Sequence, residues 1–258
     1  MRRMICISVV FLVASCNSIP VNRGGSGFIK DSTLSSFSGC ILDSTKYYLP
    51  SKYFENGSWI NSKNDSFCMN WYSANYRCFK APILYNYYLG YDNYRLLWLR
   101  SFHQPVLISI NKDENITINT KILEHNPRSL TIVYYSSGGK LLFPSNIKKL
   151  SDENLQKDGW GKIDSIVTPK YNTKVVVDKN YTLTNKNWLD FVKLIEKCHF
   201  WELTPFKRDI GLDGSEWILE GQNKNTYHYV VRWSPHDSFR DCCEFLIKLS
   251  AAKNENIY

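Results

Sequence analysis

Two apolar runs with a short polar turn between them form the clearest pattern in the chain. They occupy Ile210–Pro235, where a Gly/Asp turn precedes SEWILEG and the second run, TYHYVVRW, stops at a proline. Runs of β-branched and aromatic residues bounded by turn residues are typical of a β-hairpin. The pattern therefore predicts a hairpin near the C-terminus, around which the neighbouring segments are organised.

Apolar residues recur at helical spacing on both sides of this hairpin. Thr184 is a suitable N-cap for a helix through Cys198, and a last helix is predicted to begin at Asp237 or Ser238, before a tail from Ala251 that should fray. The two apolar stripes are Trp188, Phe191, Val192, Ile195 and Cys198, then Phe239, Cys242, Cys243, Leu246 and Leu249. Each stripe needs a sheet against which it can be buried.

The earlier part of the chain supplies further strands. A long hairpin is predicted over Tyr94–Leu123 with Pro105 at a bulge or edge, a second pair at Leu130–Ser136 and Lys140–Phe143, and a strand at Thr173–Asp178. A helix capped by Asp65 or Ser66 is predicted to reach about Lys80. Strands joined by short turns, with helices between strand sets, favour an α+β fold: a mainly antiparallel sheet built from hairpins, with helices packed on one face.

The N-terminus carries a targeting pattern. Arg2 and Arg3 precede a nine-residue apolar run that is too short to span a bilayer. Val13-Ala14-Ser15-Cys16 follows, and this order resembles the lipobox of bacterial lipoproteins. The resemblance implies that Cys16 is acylated and becomes the first mature residue. The alternatives are an ordinary secretory signal that contains a cysteine, and a cytosolic protein with an apolar first strand.

The resemblance sets the expected organisation and location. Residues 1–15 are predicted to be a lipoprotein signal peptide and the Ser/Gly-rich residues 16–39 a flexible tether. Residues 40–258 form a single α+β domain, with a Tyr-rich helical part at 40–93 and a sheet-containing part at 94–258. Asn17 after the lipidated cysteine implies the outer membrane facing the periplasm rather than the inner membrane.

Charge adds little about partners. The formal net charge is +8, and loss of Arg2 and Arg3 with the signal leaves +6. This excess would suit anionic lipid or polyanionic envelope polymers, or serve solubility alone. No long Lys/Arg block occurs, so the sequence gives no support for a nucleic-acid partner.

Cysteine usage agrees with an oxidising compartment. Cys6 is lost with the signal and Cys16 is the predicted lipid site, which leaves six candidates for disulfides: Cys40, Cys68, Cys78, Cys198, Cys242 and Cys243. Cys40 is predicted to pair with Cys68 or Cys78. Cys198 is predicted to meet Cys242 or Cys243 between the two helix stripes, as a disulfide or as a packed thiol contact.

Motifs for metals, cofactors and nucleophiles are missing from the sequence. It contains no CxxC, HExxH, GxSxG or P-loop pattern, and the five histidines are scattered. SxxK occurs at Ser137–Lys140 and Ser145–Lys148, but no KTG accompanies either. The sequence therefore predicts no metal, no cofactor and no catalytic residue, and it favours a binding protein over an enzyme.

The polar residues of the hairpin and of the Tyr94–Leu123 region form one candidate ligand or ion-pair cluster. Its members are Arg100, His103, Asp213, Glu220, His228 and Arg232. A turn centred on Asn223-Lys224 would pair Glu220 with Tyr227, and a slip by one residue would pair Glu220 with His228. These groups could bind an anionic or peptide ligand, or form cross-strand ion pairs on a solvated sheet face.

The blocks GLDGSEWILEG, YHYVVRWSP and CHFWEL, with Tyr94–Ile110, resemble a group of uncharacterised bacterial proteins. The resemblance covers about the C-terminal two-thirds and implies one coherent domain. Because the group has no assigned activity, it transfers no catalytic residue to this chain. Three functional hypotheses remain. The first is a non-enzymatic, lipid-anchored envelope protein that binds a protein or cell-wall partner. The second is an immunity lipoprotein that neutralises a periplasmic toxin. The third is a hydrolase of envelope polymers that uses Asp213, Glu220 or His228.

Overall fold

The computed structural model describes residues 27–55, 58–61, 66–127, 173–207, 211 and 213–257. The predicted signal peptide and lipidation site, the strand pair predicted at Leu130–Ser136 and Lys140–Phe143, and both SxxK sequences lie outside these residues. The strands, helices and cavities of this structure all belong to these residues.

The strands build one large antiparallel sheet and one small ribbon. The ribbon is β1 (Lys52–Glu55) with β2 (Ser58–Asn61), and helix α1 (Ser66–Cys78) follows it. The large sheet contains β3 (Asp92–Arg100), β4 (Val106–Lys112), β5 (Ile116–Leu123), β6 (Val175–Thr182), β7 (Ser215–Asn223) and β8 (Thr226–Trp233). Its spatial order is β6-β5-β4-β3-β7-β8, and every neighbouring pair is antiparallel. The predicted α+β class with a mainly antiparallel sheet is confirmed.

Local signals place the two C-terminal helices as predicted. Helix α2 spans Asn185–Lys197, and its N-cap Thr184 forms a reciprocal capping box with Asn187. Helix α3 spans Ser238–Leu249, and the Asp237 side chain accepts a hydrogen bond from the Phe239 amide. Both helices present their predicted stripes to the face of the sheet that carries Trp98 and Trp217.

The opposite face of the sheet is also covered, which the sequence pattern did not anticipate. Helix α1 and the segments around it supply Tyr72, Tyr76 and Phe79 to a second core against this face. Alternate residues of β3 point to the two cores: Leu96 and Trp98 to the first, Leu97 and Leu99 to the second. Burial on both faces explains why the strand has a continuous apolar run instead of alternation.

Two predicted boundaries need correction. The predicted tether at 16–39 ends too late, because Leu34 and Ser35 are buried and the amides of Ile29 and Lys30 donate to the carbonyls of Tyr85 and Asn86. The C-terminal tail does not fray at Ala251, because Ala252 is buried and Glu255 binds Arg100. Pro105 lies in the loop between β3 and β4, at neither a bulge nor an edge.

Candidate functional site

The hairpin places Glu220 and His228 on opposite faces of the sheet. Glu220 pairs with Tyr229, and His228 pairs with Gly221. Glu220 points to the face covered by α1, whereas His228 packs against Phe200 on the face covered by α2 and α3. Neither register considered from the sequence is correct. The Asn223 side chain accepts hydrogen bonds from the amides of Asn225 and Thr226, which moves the turn to Lys224-Asn225.

Glu220 forms a buried ion pair with Arg95. Arg95 of β3 donates from Nε and Nη2 to Glu220 Oε2 at 2.8 and 2.6 Å, and from Nη1 to the Pro82 carbonyl at 2.6 Å. The Tyr227 hydroxyl donates to Glu220 Oε1 at 3.0 Å. The Tyr76 ring lies 4.4 Å from the guanidinium carbon. The charges are therefore paired and hydrogen-bonded, as burial requires.

The electrostatics of this network follow from burial. Burial is the largest single influence on the pKa of Arg95 and lowers it, but the charge and hydrogen bonds of Glu220 together with the neighbouring tyrosines outweigh burial, so the net shift is upward. Burial first, and the Glu220 charge second, raise the pKa of both Tyr76 and Tyr227 well above the usual value. Both phenols therefore stay protonated near pH 7. Sequence reasoning missed Arg95, because nothing in the apolar run around it indicates a partner 125 residues away.

His228 and Arg232 fasten a loop over the edge of the sheet. His228 Nε2 donates to the Leu203 carbonyl at 2.9 Å, and Arg232 Nη2 donates to the Thr204 carbonyl at 2.8 Å. The Val231 amide donates to the Pro205 carbonyl at 2.7 Å. Burial lowers the pKa of His228 to about 4, so its imidazole is neutral near pH 7. These contacts cover edge strand β8 and hide backbone groups that could pair with another chain.

The other members of the predicted cluster lie apart from this group. Arg100 is buried, donates to the Gln104 carbonyl at 2.9 Å and pairs with Glu255 at 2.7 Å. Asp213 is exposed and His103 is half-buried. The six residues therefore do not form one ligand-binding or acid–base cluster, because the pleat and the corrected register separate them. A hydrolase mechanism that needs Asp213, Glu220 and His228 together has no support in this geometry.

A second carboxylate, that of Glu216 in β7, is partly buried and lies beside Tyr72 of α1. Burial raises its pKa to about 7, and a hydrogen bond with Tyr72 offsets part of this rise. The carboxyl group is thus protonated in mildly acidic solution, at a pH where an ordinary glutamate is ionised. Glu216 is one of the polar residues of the predicted hairpin, but its raised pKa cannot be predicted from the sequence, because the shift depends on burial in the fold.

The stability of the protein should fall as pH rises through the range set by Glu216. Its folded-state pKa of about 7 exceeds the ordinary 4.5, so between these values the folded state binds more protons than the unfolded state. We expect wild type to lose at most about 3 kcal/mol of stability from this group between pH 4.5 and 8. Glu216→Gln should abolish that loss. Urea unfolding of both proteins at pH 5 and pH 8 measures the loss of stability.

His228 also makes stability depend on pH, with the opposite sign, in acidic solution. Its contribution is the same in wild type and variant, so it cancels when the two proteins are compared. Equal pH profiles would contradict the role of Glu216.

The six described cysteines are all thiols. Cys242 Sγ lies 3.2 Å from Cys198 Sγ, where α2 and α3 meet, so the predicted contact involves Cys242 in preference to Cys243. Cys68 and Cys78 lie on one continuous helix, ten residues apart, which puts them roughly 15 Å apart and rules out a bond between them.

Two open cavities occur in the N-terminal layer. The larger, about 700 Å³, is lined by residues that include Phe28, Ile29 and Tyr85, and the smaller, about 480 Å³, by residues that include Cys40 and Arg77. Neither is lined by a member of the predicted cluster. Within the described ranges, no three His, Cys, Asp or Glu residues are arranged to hold a metal ion. A search of the same ranges finds no helix with the length and apolar character needed to cross a membrane.

In comparisons with known proteins, no protein-family model, no curated protein and no solved structure matches the chain.

Proposed function

We propose that this protein is a lipid-anchored protein of the bacterial envelope whose domain binds a protein or cell-wall partner. The observation that carries the proposal is the order of a basic start, a nine-residue apolar run and Val13-Ala14-Ser15-Cys16. Two or three acyl chains on one cysteine would give stable anchoring, since a single chain holds a protein only marginally. Asn17 favours the outer membrane, with the domain in the periplasm.

The buried charged residues are bonded to other parts of the fold. This supports a binding function over catalysis by the candidate residues. Arg95 and Glu220 neutralise each other between α1 and the sheet. His228 and Arg232 are bonded to the loop that covers β8. Each of these contacts stabilises the fold and presents no reactive group to a ligand. A partner would therefore meet the outer surfaces of the domain.

Substitution of the predicted acylated cysteine tests the anchor. Cys16→Ala should abolish incorporation of an alkyne-labelled fatty acid and membrane retention, because no other group offers the acylated thiol at the cleavage site. Labelling followed by fractionation of the envelope measures both, and globomycin treatment of wild type should also block maturation. The matched control is Cys6→Ala, which changes a cysteine inside the apolar run and should leave both unchanged. Retention of Cys16→Ala in the membrane fraction at the wild-type level would refute the anchor.

A pull-down from intact envelopes with the lipidated protein identifies the partner. The Cys16→Ala protein, which lacks the anchor, is the control for proteins that are recovered through the membrane alone.

A further inference from the structure

Partly exposed aromatic side chains of residues 28–37 pack on the side chains of Tyr87 and Tyr88. The ring centroids of Phe37 and Tyr87 are 4.6 Å apart, and those of Phe28 and Tyr88 are 6.2 Å apart. Phe37 is 79% exposed, and Ile29, next to Phe28, is 51% exposed. We call these five residues the N-terminal aromatic patch.

The patch is held together by contacts to one stretch of chain. The Ile29 amide donates to the Tyr85 carbonyl at 3.2 Å, which fastens Phe28 and Ile29 beside this stretch. The Asn86 side chain donates to the Asp31 carbonyl at 2.7 Å and to Ser35 Oγ at 2.8 Å, which fastens the turn that carries Phe37. Residues 28–37 are thus fixed by hydrogen bonds to Tyr85 and Asn86 and by ring contacts with Tyr87 and Tyr88, so their exposed apolar groups lie on a supported surface.

Other exposed apolar residues of the described chain include Val176 and Tyr181 of β6 and Leu189 of α2, each about half exposed. Scattered apolar residues on a surface are normal, whereas a group of aromatic residues marks a contact site.

The position of the patch along the chain indicates what it contacts. Phe28 follows Cys16 by twelve residues, and even a fully extended backbone of that length spans at most about 42 Å. An anchor at Cys16 would therefore keep the patch close to the bilayer, at a high effective concentration. Tyrosine and phenylalanine side chains favour the boundary between head groups and acyl chains.

We infer that the N-terminal aromatic patch lies on the phospholipid surface to which the chain is anchored. This inference rests on the proposed lipid anchor. The contact is apolar, because nearby charges offset each other: Lys30 is next to Asp31, and Lys46 pairs with Asp43. Binding should therefore depend little on salt.

The test holds the chain to vesicles independently of acylation. A hexahistidine tag replaces residues 1–16, and the chain from Asn17 binds vesicles of phosphatidylethanolamine, phosphatidylglycerol and a nickel-chelating lipid. A lipid with a photoreactive diazirine in its acyl chain then labels residues that enter the bilayer. Peptide mass spectrometry should find label on the peptides that contain Phe28-Ile29, Phe37 and Tyr87-Tyr88.

Paired variants separate the patch from general surface exposure. Ile29→Ser with Phe37→Ser should lower the labelling of these peptides about tenfold. The control, Val176→Ser with Tyr181→Ser, changes two exposed residues of β6 and should leave the labelling of the patch peptides unchanged. Three results would overturn the inference. They are label confined to residues 17–26, label spread equally over β6, and labelling that disappears in high salt. Because the tag supplies attachment, failure of acylation at Cys16 and failure of the patch remain distinguishable.

Discussion

Replacement of Glu220 by glutamine should lower the free energy of unfolding by about 3–5 kcal/mol. Arg95 would keep its charge at a site where its side chain is 1% exposed, but it would lose the carboxylate that accepts two of its hydrogen bonds. The Tyr227 hydroxyl would lose its charged acceptor as well. Urea denaturation at pH 7, followed by circular dichroism, measures the change.

Two further variants separate an unpaired buried charge from the value of the ion pair itself. The double variant Arg95→Met with Glu220→Leu removes both charges and should recover most of the lost stability, since apolar replacements of buried pairs are often neutral. Asp190→Asn breaks the exposed pair with Lys186 and should cost less than about 1 kcal/mol. A double variant as unstable as the sum of the two single variants would contradict this account.

Oxidation should join Cys198 to Cys242 and stabilise the protein by about 2–4 kcal/mol. The sulfurs are 3.2 Å apart and the residues are 44 positions apart in sequence, so the bond would close a long loop in the unfolded chain. The two thiols together give up two electrons and two protons to an incoming disulfide, such as that of a periplasmic thiol oxidoreductase. Unfolding with and without reductant measures the gain, and non-reducing peptide mapping identifies the bond.

Single cysteine variants provide the matched comparison. Cys198→Ser should remove the effect of reductant on stability. Cys243→Ala should keep it, because Cys243 is buried in the same core without taking part in the short sulfur contact. A mapped bond from Cys198 to Cys243, or equal stability of wild type with and without reductant, would show that the thiols have another role.

Local signals predicted most of the C-terminal architecture. Thr184 and Asp237 cap their helices through their own side chains, and apolar periodicity identified the buried stripes. These features depend on residues within one or two turns, so they can be recognised in a single sequence. The central hairpin was recognised for the same reason, through its turn residues and its β-branched and aromatic runs.

The candidate site could not be predicted, because its geometry depends on register and on distant partners. A shift of one or two residues at the turn decides which face each polar side chain occupies, and the Asn223 side chain decides the turn. The pairing of β3 with β7 brings Arg95 to Glu220, and no local pattern specifies that pairing. The second core was missed because the Tyr-rich region gave only one helix and no clear strand to place against the sheet.

The central position of β3 has a consequence for the order of folding. Its partner β4 follows within the same hairpin, but its other partner, β7, begins more than a hundred residues later in the chain. During synthesis, β3 therefore has an unpaired apolar edge until the C-terminal hairpin has emerged, and contacts this distant in sequence form slowly. A chain that crosses the membrane from its N-terminus would need protection from aggregation over this interval.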